Sequence, residues 1–277
     1  MLIAQTKAGV ARVHEDHYEL LDVTASLSDL IRAGALDTLH AAATQAEIDR
    51  TDTSPLAPFD RPGKFCIVGL NYRDHAAEVG KDLPKAVRFS YTHGTAVSGP
   101  HDDIIVPPIA QDELDYEGEL AIVIGKAAHQ VTPAEAWSHV AGVTVANDVS
   151  ARDIQHGRGA NLAGPNVGLG KGFDTFKPIG PALLTADEFG PDEPLEIRTW
   201  VDDELRQESS TSNLVFGLPE LVSTISAYGT LHPGDVILTG TPGGVGSRRG
   251  ALLKDGQVVR VRIERIGELA NRVVMTR

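Results

Sequence analysis

The sequence predicts a mixed, β-rich α+β protein. Short apolar runs rich in β-branched residues recur along it, such as 65–68, 120–124, 141–149 and 236–238, most of them flanked by glycine, proline or acidic residues. Stretches with helical spacing are few, at 27–43, 71–80 and 218–228. Near the C-terminus Val259, Val261 and Ile263 alternate with Arg260, Arg262 and Glu264, as in a strand with one wet face.

In chain order, residues 1–60 read as a small N-terminal α+β domain. The strand-like runs 10–13 and 18–23 flank a polar turn at His14–His17, and the helical stretch 27–43 follows. Residues 51–63 are crowded with proline, aspartate and threonine and read as a connector, leaving residues 61–277 as the main domain. There a buried strand at 64–70 leads to a short helix ending near Gly80. Residues 81–100 lack periodicity and read as a loop, a candidate lid. The helix 218–228 has Leu218, Leu221, Val222 and Ile225 on one face, Pro219 in its first turn and Gly229 after its end.

The 277 residues, 42% hydrophobic and 23% charged, suffice for a substantial core. A net charge of −13 excludes a nucleic-acid backbone as partner, since that requires a basic surface. The single cysteine, Cys66, lies in an apolar run and reads as a buried thiol in a reducing compartment. No run reaches the length of a membrane span and the N-terminus lacks a signal-peptide pattern, so the expected location is cytoplasmic.

Chemistry concentrates in the stretch 115–126. On a strand Glu117 and Glu119 project to the same side, with Asp115 in line before them. Neighbouring carboxylates repel unless a cation or proton lies between them; the alternative is a solvated acidic face. Asp148 interrupts the apolar run 141–149, and a carboxylate there needs a partner: Arg152, a metal shared with Glu117 and Glu119, or both. His75 and Glu78, three apart on the short helix, form a pair in which a carboxylate can orient an imidazole for general-base work, or a plain surface pair. The glycine-rich stretch 157–172 does not match a P-loop and reads as a loop delivering Lys171.

The motifs IVGLNYRDHAAE (67–78), DYEGEL (115–120), NDVSARD (147–153), GKGFDTF (170–176), LTGTPGGVG (238–246) and IGELAN (266–271) resemble, in this order, the fumarylacetoacetate hydrolase superfamily. The resemblance covers nearly everything from residue 64 onward. It implies a β-roll with peripheral helices, a homodimer, and one divalent cation held by Glu117, Glu119 and Asp148. An all-carboxylate set favours Mg²⁺ or Mn²⁺ over zinc, with Ca²⁺ also compatible. It further implies His75 and Glu78 as a water-activating pair on a lid that orders with substrate, Lys171 as a catalytic group, and Arg152, Gln155 and Thr241 as substrate-binding residues. Many relatives carry a lysine near the position of Thr92, which this chain lacks. The implied activity is metal-dependent hydrolysis of a C–C bond in a 1,3-dicarbonyl or acylpyruvate-like 2-oxo acid. The alternative is a 2-oxo acid decarboxylase, as for oxaloacetate, or an enol–keto isomerase using the same site.

Overall fold

The computed structural model describes residues 1–159 and 162–277. At its centre is the antiparallel pair Gly118–Ile124 and Val140–Asn147, in which every residue is buried. Burial on both faces explains why these strands read as unbroken apolar runs. Successive side chains go to opposite sides. Leu120, Ile122 and Ile124 share a core with Val261, Ile263 and Leu269, whereas Ala121 and Val123 pack with Leu27, Ile31 and Phe59. One face of the central sheet is therefore covered by a second sheet, the other by the helix Leu27–Ala33 and the connector.

The central sheet runs from Val140–Asn147 through Lys177–Thr185, Leu2–Thr6, Gly9–Val13 and His17–Leu21 to Thr44–Asp49. In the other direction it passes from Gly118–Ile124 through Val236–Leu238 and Phe65–Gly69 to the edge strand Arg88–Thr92. The second sheet orders Glu204–Ser210, Glu196–Val201, Val258–Ile263, Gly267–Met275 and Ile104–Val106. It approaches so closely that a Cβ on Gly118 would lie 2.2 Å from Thr199 Oγ1. Only glycine fits between Glu117 and Glu119.

The expected hairpin about His14–His17 forms, and Leu2–Thr6 joins it to the central sheet, with Ile3 opposite Leu183. The expected helix 218–228 is present as Leu218–Tyr228. Three expectations are corrected. The helix predicted over 27–43 stops at Ala33, where Gly34 turns left-handed (φ 63°); a 3₁₀ turn and the largely exposed strand Thr44–Asp49 follow. The loop predicted over 81–100 contains the strand Arg88–Thr92, paired along Phe65–Gly69. Lys177–Thr185, which the sequence left without a strand assignment, is a wholly buried strand; Pro181 falls in a shift of register where the ladder is already broken. Part of the glycine-rich stretch 157–172, residues 160–161, lies outside the described residues.

Candidate metal centre

Strand register gathers the carboxylates. Glu119 lies directly opposite Ala146, and Asp148 N–H donates to the Glu117 carbonyl at 2.8 Å. Asp148 is two residues beyond Ala146 and Glu117 two before Glu119, so period-two alternation turns all three side chains to one face. Their oxygens lie within 4.8 Å of one another, and all three residues are buried. Asp115 does not join them. Its carboxylate accepts from the backbone N–H groups of Gly246 (2.7 Å) and Ser247 (3.0 Å) and from Arg152 Nε at 2.9 Å.

Three buried cations offset this charge. Arg152 does not pair with Asp148; it reaches Asp115 and, through Nη1 at 2.7 Å, Glu117. Lys171 Nζ lies 2.5 Å from both Glu117 Oε2 and Asp148 Oδ2. Lys177, which the sequence reading missed, is fully buried with Nζ 2.7 Å from Asp148 Oδ1, in a geometry that makes an ion pair without a directed hydrogen bond. It also donates to the carbonyls of Lys171 and Phe176, and so ties the lysine loop to the strand that follows. Its signal was a lysine between apolar neighbours, obscured by Pro178.

The protonation equilibria follow from this geometry. Burial opposes ionisation of Glu117, but Arg152 and Lys171 outweigh it and hold the carboxyl below the usual range. Burial lowers the Lys171 pKa, yet Asp148 and Glu117 more than restore it, so the ammonium is kept. For Lys177 burial prevails over Asp148 and the shift is downward. Glu119 has no cationic side chain in contact among the described residues, only the Gly240 N–H at 2.6 Å, and burial with Asp148 and Glu117 pushes its carboxyl well above the usual range. The donor set fits a hard divalent cation: three convergent carboxylates, one of them short of positive charge, and an Asp148 oxygen without a directed hydrogen bond.

The helix Arg73–Glu78 forms one wall beside this floor. His75 Nδ1 is 2.9 Å from Glu78 Oε2, the pair expected from their spacing. Glu78 Oε1 accepts from Gly244 N–H at 2.9 Å, and Asp74 Oδ1 accepts from Gly243 N–H at 3.2 Å. Asn71, just before the helix, spans the carbonyls of Thr239 and Phe216 with its amide nitrogen and takes the Phe216 N–H on its oxygen. Helix and loop 239–244 are thus bolted together. Gly244 (φ 105°) has Arg206 O against its back, where a Cβ would lie 2.0 Å away.

Gln155 lines the cleft and accepts from Arg152 Nη1 at 2.9 Å. Thr241 also lines it; its hydroxyl donates to Gly118 O at 2.9 Å and accepts from Gln207 Nε2 at 2.8 Å. Gln207, another residue the sequence did not flag, takes the Gly118 N–H at 3.0 Å and so joins the two sheets beside the carboxylate cluster. Thr92 Oγ1 donates to Gly168 O at 2.8 Å, anchoring the loop that carries Lys171. The cleft has a volume of about 740 Å³, and His75, Glu117, Arg152, Gln155, Lys171 and Thr241 all face it.

Residues 64–274 match the family described as "Fumarylacetoacetate (FAA) hydrolase C-terminal". The chain belongs to the fumarylacetoacetate hydrolase family. Among the family's curated proteins, a mitochondrial oxaloacetate tautomerase of Bos taurus, FAHD2B, is 46% identical over 238 residues, 85% of this chain and 74% of the relative. A putative HpcE protein from Mycobacterium smegmatis aligns with a TM-score of 0.87 at 31% identity over the whole of both chains. A maleylpyruvate hydrolase from Sphingobium sp. SYK-6, solved with manganese(II) and pyruvate, aligns over the whole of both chains with a TM-score of 0.78 at 30% identity. The tautomerase and the maleylpyruvate hydrolase are enzymes by name, and the β-rich α+β fold expected from the sequence is that of the two solved structures. Among the described residues no helix is long and apolar enough to cross a membrane.

Proposed function

We infer that this protein is a divalent-metal-dependent enol–keto tautomerase of a 2-oxo dicarboxylic acid of the oxaloacetate class. The observation that carries the reading is the buried, convergent set Glu117, Glu119 and Asp148, of which Glu117 lines the cleft together with Lys171. The 46% identity to an oxaloacetate tautomerase favours tautomerisation over the C–C hydrolysis expected first from the sequence.

Glu117, Glu119 and Asp148 would hold Mg²⁺ or Mn²⁺. When bound, such an ion supplies Lewis-acid stabilisation of the charge that develops on a 2-oxo acid's oxygens. Arg152, Gln155 and Thr241 are assigned to the substrate's carboxylate, Thr241 exchanging its hydrogen bond to Gly118 for one to substrate. Lys171, kept protonated by its carboxylate neighbours, delivers a proton to the carbon next to the oxo group. The enol hydroxyl gives up its proton in turn, so the lysine ends with the charge it began with. Small-molecule chemistry in a cytoplasmic homodimer, with residues 61–277 as the catalytic domain, completes the reading.

A second reading, hydrolysis of an acylpyruvate-like acid, is favoured by one feature. Glu78 holds Nδ1 of His75, leaving Nε2 as the ring nitrogen free to take a proton from water. Tautomerisation has no use for an attacking water. The test follows the enol and keto forms of oxaloacetate in parallel with cleavage of acetylpyruvate and maleylpyruvate, with Mg²⁺, Mn²⁺ or EDTA. Metal-dependent enol–keto conversion without cleavage supports the first reading; metal-dependent cleavage of either substrate replaces it with the second.

A further inference from the structure

The cleft has a second charged zone that the metal centre does not use. In a protein of net charge −13, its outer wall carries Arg158 and Arg248 beside His156, with Glu113 the one acid there among the described cleft residues outside the metal centre. Both arginines are solvent-exposed, unlike the fully engaged Arg152 and Lys171 of the floor. Arg158 is paired with Glu113 at the surface, an exposed contact worth little and readily exchanged. Arg248 has no ion-pair partner among the described residues. It lies in the short helix Gly246–Arg249, whose first N–H groups are fixed by Asp115, the same carboxylate that holds Arg152. His156 lines the same cleft as Arg152, Arg158 and Arg248, and burial together with these guanidinium groups, opposed by Glu113, pushes its imidazole toward the neutral form. Repulsion of this kind is tolerated where an anion is to be received.

Size points the same way. A cleft of about 740 Å³ falls within the roughly 300–1,000 Å³ that houses drug-sized ligands. That is more room than a four-carbon acid fills.

We propose that Arg248 and Arg158 form a distal carboxylate subsite, which selects 2-oxo diacids longer than four carbons over monoacids of the same length. The proposal rests on the 2-oxo acid reading of the metal centre and adds the end of the substrate that the centre does not touch. A guanidinium fork matches a carboxylate geometrically, so the subsite discriminates by charge and by reach together.

The test uses inert probes with one common head. N-oxalylglycine and N-oxalyl-β-alanine carry a distal carboxylate, whereas N-ethyloxamate and N-propyloxamate carry a neutral tail. Their affinities for the Mg²⁺-loaded protein are measured by calorimetry on wild type, Arg248→Gln, Arg158→Gln and the double variant, with melting temperatures confirming folding. Wild type should prefer the acidic tails by about tenfold or more, with the longer acid tighter. Arg248→Gln should remove most of that preference, Arg248→Lys should retain part of it, and the neutral-tail probes should bind all variants alike. Absence of a preference in wild type, or its survival in the double variant, overturns the subsite. Enol–keto conversion of oxaloacetate by wild type is read separately, so failure of the functional reading is distinguishable from failure of the subsite.

Discussion

The floor and the wall of the cleft are held by different means. The floor residues Glu117, Glu119 and Asp148 are 7%, 1% and 0% exposed and sit on or beside the two central strands, braced by Arg152, Lys171 and Lys177. The wall is a six-residue helix that buries only Ala76; it is held by the Asn71 amide donating to Thr239 O and by Asp74 and Glu78 accepting from the N–H groups of Gly243 and Gly244. Buried like charges must be fixed by opposite charges and by rigid strands, because a misplaced member costs several kcal/mol. A proton-handling imidazole needs solvent access and one orienting partner, which a surface helix supplies. Floor substitutions should therefore lower stability and metal affinity together, and wall substitutions should change rates alone.

The largest effect is expected from Asp148→Asn. It removes a proposed ligand and leaves two buried lysines short of negative charge, so Mn²⁺ affinity should fall by at least about a hundredfold, with activity at background. Paramagnetic resonance of added Mn²⁺ reads this directly, and unchanged affinity would take Asp148 out of the metal set. Lys177→Ala breaks a fully buried ion pair and should cost about 3–5 kcal/mol in denaturant unfolding. A loss below about 1 kcal/mol would put Lys177 on the wall's side of the comparison.

His75→Ala sharpens the contrast most. Its Mn²⁺ affinity and melting temperature should match wild type. Any C–C cleavage should fall by about a hundredfold or more, while enol–keto conversion should fall by less than about tenfold. A drop in metal affinity would show that the wall is part of the floor. Gln207→Leu should be milder: the Gly118 N–H and the Thr241 hydroxyl lose a buried partner, at a cost of about 1–3 kcal/mol. Equal stability of variant and wild type in urea would count against this stitch between the sheets.

The sequence revealed the floor better than the brace beneath it. Glu117, Gly118 and Glu119 on one strand, and Asp148 in an apolar run, were legible because strand periodicity fixes which side chains share a face. That these faces coincide depends on the pairing of Glu119 with Ala146, a non-local fact with no local signature. Of the two partners offered for Asp148, Arg152 goes to Asp115 and Glu117; Lys171 and Lys177 contact Asp148 alongside the proposed metal. Lys177 escaped notice because Pro178 and Pro181 hide the strand that carries it. Thr44–Asp49 and Arg88–Thr92 were missed for another reason. They are edge strands whose mostly uncovered side chains give no clear two-residue alternation of burial. The helix Leu218–Tyr228, with an apolar face and both ends marked, was read in full.

The most direct measurement is the enol–keto conversion of oxaloacetate by wild type and Glu119→Gln, each with Mg²⁺ and with EDTA. Glu119→Gln replaces the floor carboxylate that lacks a cationic partner, with little change of shape. Conversion that requires Mg²⁺ in wild type and is lost in the variant is the predicted result. Conversion that proceeds equally in EDTA, or that survives in Glu119→Gln, would contradict a metal-dependent tautomerase at this centre.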